Sequence, residues 1–251
     1  MILTIAGREL KRMFTSPLGW VVLAIVLLIT AIFGFMASLI RFMKESPALG
    51  SLPNAQGVVD VVGVGTFSVA AFLMLLTVPL LSMSMFAGER RHGTLALLFS
   101  RPITVTEIVI GKFLGLEFFL LIMVGMIVLM PLSLAVGTHL DYGKLFSGVL
   151  GLVLVLSAFA SAGLFISTLT KEPIIAAISS FGFLIFVWIL ALLGQGNFVA
   201  APAIQYISMV THYSPMLRGI FDTTDVIYYL LFILTFLVLS IRRLDAYRLQ
   251  H

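Results

Sequence analysis

The sequence predicts an all-α integral membrane protein with six transmembrane helices, an amphipathic N-terminal interfacial helix, and a short cytoplasmic helix between spans two and three. Of its 251 residues, 61% are hydrophobic and 10% are charged, whereas soluble domains have about 25% charged residues. The mean hydropathy is +1.17. Its long apolar runs suit a bilayer core about 30 Å thick. None alternates as barrel strands do, and a backbone in lipid must satisfy its own hydrogen bonds, so the runs are helices.

The first residues predict an amphipathic helix over 1–14 at the membrane interface. Its basic residues lie opposite an apolar face made of Leu3, Ala6, Leu10 and Met13. A cleavable signal peptide is the alternative. The apolar run that follows, at about 18–40, is longer than the 7–15 residues of a signal-peptide core, so we assign it as the first span. Ser16 and Pro17 predict the break between the two helices.

The remaining spans follow from the other apolar runs and their flanking signals. We expect a single domain over 1–251 with spans at about 18–40, 67–87, 107–136, 144–170, 173–193 and 226–241. Exposed loops are predicted over Arg41 to Thr66, where a short surface helix is compatible with the sequence, and over Gly194 to Asp225, with a short helix at 203–210 that is partly buried in the interface.

Two local patterns mark the start of the third span. Thr104 and Glu107 form a capping box, in which a hydroxyl and a carboxylate three residues apart satisfy free backbone donors. Gly111 and Gly115 form a pair of small residues that allows close helix approach. We favour packing within the chain over a dimer interface for this pair.

The distribution of basic residues predicts that both termini are cytoplasmic. With that orientation the inner segments hold Arg8, Lys11, Arg12, Arg90, Arg91, Arg101, Lys112, Lys171, Arg242, Arg243 and Arg248. The outer segments hold Arg41, Lys44, Lys144 and Arg218. Eleven against four is the bias that the positive-inside rule describes. The net charge of +4 therefore indicates topology, and we expect no nucleic-acid partner.

The sequence contains no recognisable catalytic, cofactor or metal site. It has no G-x-x-x-x-G-K-[ST] loop for a nucleotide, no cysteine, and four histidines on separate loops or at the terminus. We therefore expect no enzymatic activity in this chain and no cofactor bound to it.

Glu117 is the one ionisable residue well inside a predicted span. A charge at mid-helix is costly, so Glu117 is a candidate intramembrane functional residue that contacts a proton or a substrate. The alternative, which we favour, is a hydrogen-bonded carboxylate near the cytoplasmic boundary.

The most informative stretch is Phe86 to Lys112, a charged segment between two apolar runs. Topology alone would explain Glu89, Arg90 and Arg91. It would not explain Gly93 followed by a short apolar helix from Thr94 to Phe99. An apolar helix held along the membrane surface is suited to dock into a partner.

Gly88 to Gly115 resembles the E-x-x-x-G-T-L-x-x-L-x-S-x-P…GK pattern of ABC-2 type transporter permeases. The matching residues are Glu89, Gly93, Thr94, Leu95, Leu98, Ser100, Pro102, Gly111 and Lys112. Both ends of the chain resemble the GldF-like subfamily, which is associated with gliding motility. Copper-processing permeases associated with nitrous oxide reductase are a related alternative.

The resemblance implies a permease subunit of an ABC exporter in the bacterial cytoplasmic (inner) membrane, with a coupling helix between spans two and three. A separate cytoplasmic ABC ATPase subunit would hold ATP and Mg. The partners would be that ATPase, a second permease copy or paralogue completing a 12-span dimer, the lipid bilayer, and a periplasmic or envelope protein. The coupling interface would comprise Glu89, Arg90, Arg91, Gly93, Thr94, Leu95, Leu98, Ser100, Arg101 and Pro102.

A second function remains open at this stage. The chain would be a membrane anchor, or a mechanotransmission subunit of an ATP-driven envelope complex, that moves no cargo. Because the spans offer few polar residues for a transport path, the sequence is compatible with this alternative as well.

Overall fold

The computed structural model describes residues 1–49, 57–91, 93, 103–193 and 201–249, which are helical with no strand among them. Six helices in the described part are long and apolar enough to cross a membrane, so the predicted fold class is confirmed. We call them spans 1 to 6: Pro17–Lys44, Val59–Arg91, Val105–Val136, Tyr142–Leu169, Pro173–Leu193 and Thr223–Arg248. The end of the bundle that holds both termini is the inner end, and the other is the outer end.

Spans 1 and 3 begin where the sequence predicts, but the Ser16 side chain does not cap span 1. The N-terminal helix Ile2–Thr15 ends at Ser16, whose backbone is extended, and span 1 begins with Pro17 at the first helical position. The Ser16 side chain forms no capping bond. The capping box of span 3 is present: Thr104 Oγ1 accepts from the Glu107 N–H at 3.2 Å, and Glu107 Oε2 accepts from the Thr104 N–H at 3.0 Å.

The loop predicted over Arg41 to Thr66 is wrong at both of its ends, because the residues there belong to helices. Span 1 contains a π-helical segment, Thr30–Met36, and continues as helix to Leu49. Span 2 opens with a second π-helical segment, Val59–Gly63, before its α-helix Val64–Ser82. The three valines 58, 59 and 62 recur at helical spacing and are buried, which favours helix over loop. Asp60 is stabilised by Lys144 of span 4, with 2.7 Å between Nζ and Oδ1.

Spans 2 and 4 form the centre of the bundle. Of the 18 most apolar consecutive residues in each span, 67% are buried inside the protein in span 4 and 22% in span 6. Span 4 runs between spans 2, 3, 5 and 6 and supplies small residues at these contacts, such as Ala158, Ala160 and Ala162, all fully buried. The outward faces of spans 1, 5 and 6 are apolar and exposed, as lipid contact requires.

Two short helices close the outer end between spans 5 and 6. The first outer helix is Ala201–Ile207 and the second outer helix is Met209–Leu217. The single helix predicted at 203–210 is therefore wrong, because Ser208 adopts an extended conformation and divides it. The second outer helix buries His212, Tyr213 and Met216, so this part of the predicted exposed stretch is a packed element.

Span 6 continues well past its predicted end at residue 241, as the helix Thr223–Leu249. Arg242 and Arg243 are exposed, but Leu244 is fully buried and Tyr247 is partly buried. Leu244 and Tyr247 are three residues apart and so lie on one helix face. Their packing at the inner end extends the helix beyond the apolar run.

The N-terminal helix packs directly against the start of span 3. A Cβ added at Gly111 would lie 2.8 Å from Ile5 Cβ, and one at Gly115 would lie 2.9 Å from the Ala6 carbonyl oxygen. Both distances are too short for a real side chain. Gly111 and Gly115 therefore serve packing within the chain, although the neighbour is the N-terminal helix rather than another span. Leu3, predicted on the apolar face with Ala6, is 73% exposed and faces away from span 3.

We expect Gly115→Leu to loosen the N-terminal helix. The added side chain would overlap the Ala6 backbone, and overpacking of this kind costs about 1–3 kcal/mol. The midpoint of thermal unfolding should fall, and trypsin should cleave faster at the basic residues of the N-terminal helix.

Gly125→Leu is the matched control on the same span, because a Cβ there meets nothing within 4 Å. Equal trypsin protection in both variants would contradict the assigned packing.

Candidate functional site

Lys112 is the centre of a buried ion cluster at the inner end. The residue is 1% exposed. Its Nζ donates to Glu89 Oε1 at 2.7 Å, to the Met85 carbonyl at 2.9 Å and to Glu9 Oε1 at 3.0 Å. We call Lys112, Glu89 and Glu9 the Lys112 cluster. It joins the start of span 3, the end of span 2 and the N-terminal helix through one side chain.

Arg12 adds a second cation beside this cluster. Arg12 Nη2 lies 2.9 Å from Glu9 Oε2, so among the described residues two carboxylates face two cations. Glu9 is 2% exposed although it lies on a helix rich in basic residues. A buried carboxylate is tolerated only when it is paired. The close approach at Gly115 brings Glu9 within reach of Lys112.

Span 2 is interrupted just before Glu89, and span 4 stabilises the interruption. The α-helix ends at Ser82, turns follow at 83–86, and a short helix, Ala87–Arg91, resumes. Ser167 Oγ accepts from the N–H groups of Phe86 and Ala87 at 3.1 and 3.0 Å and donates to the Met83 carbonyl at 2.9 Å. One hydroxyl thus satisfies three backbone groups that the interruption releases.

The short helix Ala87–Arg91 is also held from two other directions. The Arg90 guanidinium lies over the Tyr247 ring of span 6, 4.4 Å from its centre. Arg91 Nη1 lies 3.3 Å from Glu172 Oε2 in the turn between spans 4 and 5. The Arg91 pair is half exposed and contributes little to stability. The Arg90 contact ties the inner end of span 6 to the same helix.

The structure brings together only the first part of the predicted site. Glu89, Arg90 and Arg91 share the short helix, and Gly93 follows with φ of +68°, a left-handed conformation that favours glycine. Six predicted site residues lie outside the described part of the chain: Thr94, Leu95, Leu98, Ser100, Arg101 and Pro102. The predicted Thr94–Phe99 helix falls there too.

Sequence reasoning missed three members of this site. Glu9 is the single acidic residue in 1–14, which is a usable signal that the sequence analysis did not use. Ser167 and Tyr247 could not be identified from the sequence, because each contacts a residue about 80 or more positions away in the chain. Lys112 was identified from the resemblance without its two carboxylate partners.

Glu117 of span 3 is bonded to span 4. Ser157 Oγ donates to Glu117 Oε1 at 2.7 Å, and the same hydroxyl lies 2.8 Å from the Val153 carbonyl. Glu117 Oε2 is buried and has no hydrogen-bond partner. This geometry is that of the hydrogen-bonded carboxylate that we favoured. Glu117 lies five residues beyond Lys112, about 7.5 Å or just over one turn along the helix axis.

The outer end contains a buried pair of a histidine and an aspartate. His212 Nδ1 lies 2.7 Å from Asp225 Oδ1, and the ring stacks on Tyr228 with 4.1 Å between centres. His212 Nε2 lies 2.9 Å from the Tyr206 carbonyl. Each ring nitrogen is thus engaged by protein groups, which makes the pair a clamp between the second outer helix and span 6. Within the described residues no three His, Asp or Glu side chains are grouped to hold a metal ion.

The sequence matches the model of a known protein family. The profile of the ABC-2 family transporter proteins matches residues 3–248, nearly the whole chain. No protein of curated function matches the sequence.

Replacement of Lys112 by Met should strongly destabilise the protein. It would remove the ammonium group that both Glu9 and Glu89 contact, and breaking a buried pair costs about 3–5 kcal/mol. The thermal unfolding midpoint of the purified protein should fall sharply. Adding Glu9→Gln and Glu89→Gln to Lys112→Met should recover part of the loss.

Lys171→Met is the matched control, since Lys171 is an exposed lysine at the same end. A midpoint for Lys112→Met no lower than that of Lys171→Met would exclude a stabilising role for the cluster.

We expect Glu117→Gln to leave both folding and transport-linked ATPase activity unchanged. An amide oxygen can still accept from Ser157, and the neutral side chain removes the uptake of a proton as a role. The measurement is ATPase stimulation and transport in a reconstituted complex. Loss of activity with an unchanged unfolding midpoint would instead assign Glu117 a role in transport.

Proposed function

We propose a function from one premise: the chain belongs to the ABC-2 family of transporter proteins, as a multi-pass membrane permease component of an ABC transporter. The proposal is that it couples ATP hydrolysis by a separate cytoplasmic ATPase subunit to export of a substrate. The inner end would face the cytoplasm of a bacterium across its inner membrane, and two permease subunits would form a 12-span dimer. ATP and Mg would bind to the partner.

The Lys112 cluster is the observation that carries this proposal. Glu89 lies before the segment 94–102 and Lys112 lies after it, and the two side chains meet at 2.7 Å. A partner that pushes on that segment therefore acts on both of its ends at once. Glu9 couples the N-terminal helix to the same point.

The interruption of span 2 supports the same role. Ser167 holds the turns at 83–86 with hydrogen bonds from outside the helix, so the short helix Ala87–Arg91 is a separate piece attached to span 4. Movement of this piece would shift span 4 through Ser167 and span 6 through Tyr247. We infer that force from the ATPase spreads through these contacts to the centre of the bundle.

The coupling interface would then consist of the predicted residues Glu89 to Pro102. Arg90 is partly exposed and Arg91 is about half exposed on the short helix, so both can contact a partner from there. The GldF-like subfamily is the finer assignment that we propose, on the likeness of both chain ends to that subfamily.

A membrane anchor or mechanical transmitter is the second candidate. It is favoured by the placement of hydroxyl groups in the spans, because several that could line a transport path are buried inside the subunit. These are Thr66, Thr77, Ser82 and Ser180. Co-purification of the native complex, with identification of the ATPase and any periplasmic partner, separates the two functions.

Gly93→Ala should uncouple the ATPase from the permease. Gly93 has φ of +68°, and placing a side chain in that conformation costs about 1–2 kcal/mol, so the segment that follows would leave the short helix in a different direction. The measurement is ATPase stimulation by the reconstituted permease, which should fall while membrane insertion and the unfolding midpoint stay close to normal.

Gly182→Ala is the control, because Gly182 lies on the exposed face of span 5 and a Cβ there meets nothing within 4 Å. Normal stimulation by Gly93→Ala would remove this segment from the coupling route.

A further inference from the structure

A cleft at the outer end lies between span 5 and the two outer helices. Its volume is about 350 Å³, which falls within the range of about 300–1,000 Å³ found for small-molecule sites. The polar side chains that line it are Gln205, Thr211, Ser214 and Arg218, and its apolar rim includes Ala191 and Ile220.

The polar lining has a regular origin in the second outer helix. Thr211, Ser214 and Arg218 follow one another at spacings of three and four residues, so they form a stripe along one helix face. The opposite face is the buried one, with Tyr213 and Met216. The helix therefore presents a polar stripe to the cleft while its apolar side packs against the bundle.

These polar groups are not used for folding. Hydroxyls of helical Thr and Ser elsewhere bond to backbone carbonyls, as Thr66 and Thr77 do with the carbonyls four residues before them. Among the described residues, the hydroxyls of Thr211 and Ser214 form no such bond, and no hydrogen bond or ion pair engages the side chain of Gln205 or of Arg218. Four side chains with unused donors thus line one cleft.

The charge of Arg218 is also uncompensated within the described chain. Among the side chains that the structure describes, the acidic ones of the outer end are each engaged elsewhere. Asp60 pairs with Lys144, Asp225 with His212, and Asp141 accepts from backbone N–H groups. Asp222, the acid nearest in sequence to Arg218, accepts hydrogen bonds from Thr224, first from its backbone N–H, and these lower its pKa. The cleft is therefore a positively charged, donor-rich site.

We propose that this cleft binds a phosphate group, with Arg218 as its counter-charge and the side chains of Thr211, Ser214 and Gln205 as hydrogen-bond donors. A guanidinium donates two parallel bonds to an oxyanion, and the hydroxyls and the amide can supply the remaining oxygens. The apolar rim at Ala191 and Ile220 suits a hydrophobic portion of the same ligand. This site lies at the end opposite the Lys112 cluster and does not depend on the partner ATPase.

The phosphate could belong to a lipid headgroup or to a soluble molecule, and two probes distinguish these sources. The full chain, purified in an uncharged detergent, is titrated with inorganic phosphate in one arm and with short-chain phosphatidylglycerol in the other. A ligand that binds the folded state raises the thermal unfolding midpoint in proportion to its affinity. The variants are Arg218→Gln, the double change Thr211→Val with Ser214→Ala, and Lys44→Gln as the control, an exposed cation of the same end outside the cleft.

We expect one probe or both to raise the midpoint of the natural protein and of Lys44→Gln. The apparent affinity should fall about tenfold or more in Arg218→Gln and in the double variant, as loss of charge-assisted hydrogen bonds implies. A response to phosphatidylglycerol alone assigns a lipid headgroup, and a response to inorganic phosphate alone assigns a soluble ligand. The proposal is overturned if neither probe shifts the midpoint, if both cleft variants respond as the natural protein does, or if Lys44→Gln loses as much affinity as Arg218→Gln.

Discussion

A lysine that is 1% exposed at the edge of a membrane bundle requires opposite charges within reach, and much of this structure follows from that requirement at Lys112. Two carboxylates meet its ammonium group, one from the N-terminal helix and one from the end of span 2. Because an unpaired buried charge costs several kcal/mol, none of the three elements can move away alone at low cost. The N-terminal helix is therefore part of the bundle as well as an interfacial anchor.

The inner end also contains an interruption of span 2. Span 2 loses its regular hydrogen bonds between Ser82 and Ala87, and Ser167 of span 4 replaces them. A helix broken in this way keeps its backbone satisfied while it changes direction. The short helix that follows touches the Lys112 cluster, span 4 and span 6. In the function that we propose, this is the route by which a partner at the inner end would act on the core.

The polar side chains of the outer end are arranged differently. Two pairs of side chains join its elements: Asp60 with Lys144, and His212 with Asp225. The first connects span 2 to span 4, and the second connects the second outer helix to span 6. The cleft beside Arg218 contrasts with this pattern, since its donors are left for a ligand. The His212–Asp225 pair has its polar groups bonded within the protein. The polar side chains of the proposed binding site are left for a ligand.

The sequence by itself determined the class of fold, the number of spans and the starts of helices at Pro17, Thr104 and Pro173, because hydropathy, proline and capping residues act over a few neighbouring positions. It also identified the segment around Glu89 through a motif. Only the tertiary structure decided that Glu9, Glu89 and Lys112 share one site, that Ser167 supports the break in span 2, and that the valines after Gly57 belong to a helix. Each of these depends on contacts between residues far apart in the chain, and a local pattern does not state which helix will be the neighbour. For the same reason the spacing of Gly111 and Gly115 predicted a close approach, and only the packed structure showed that the N-terminal helix fills it.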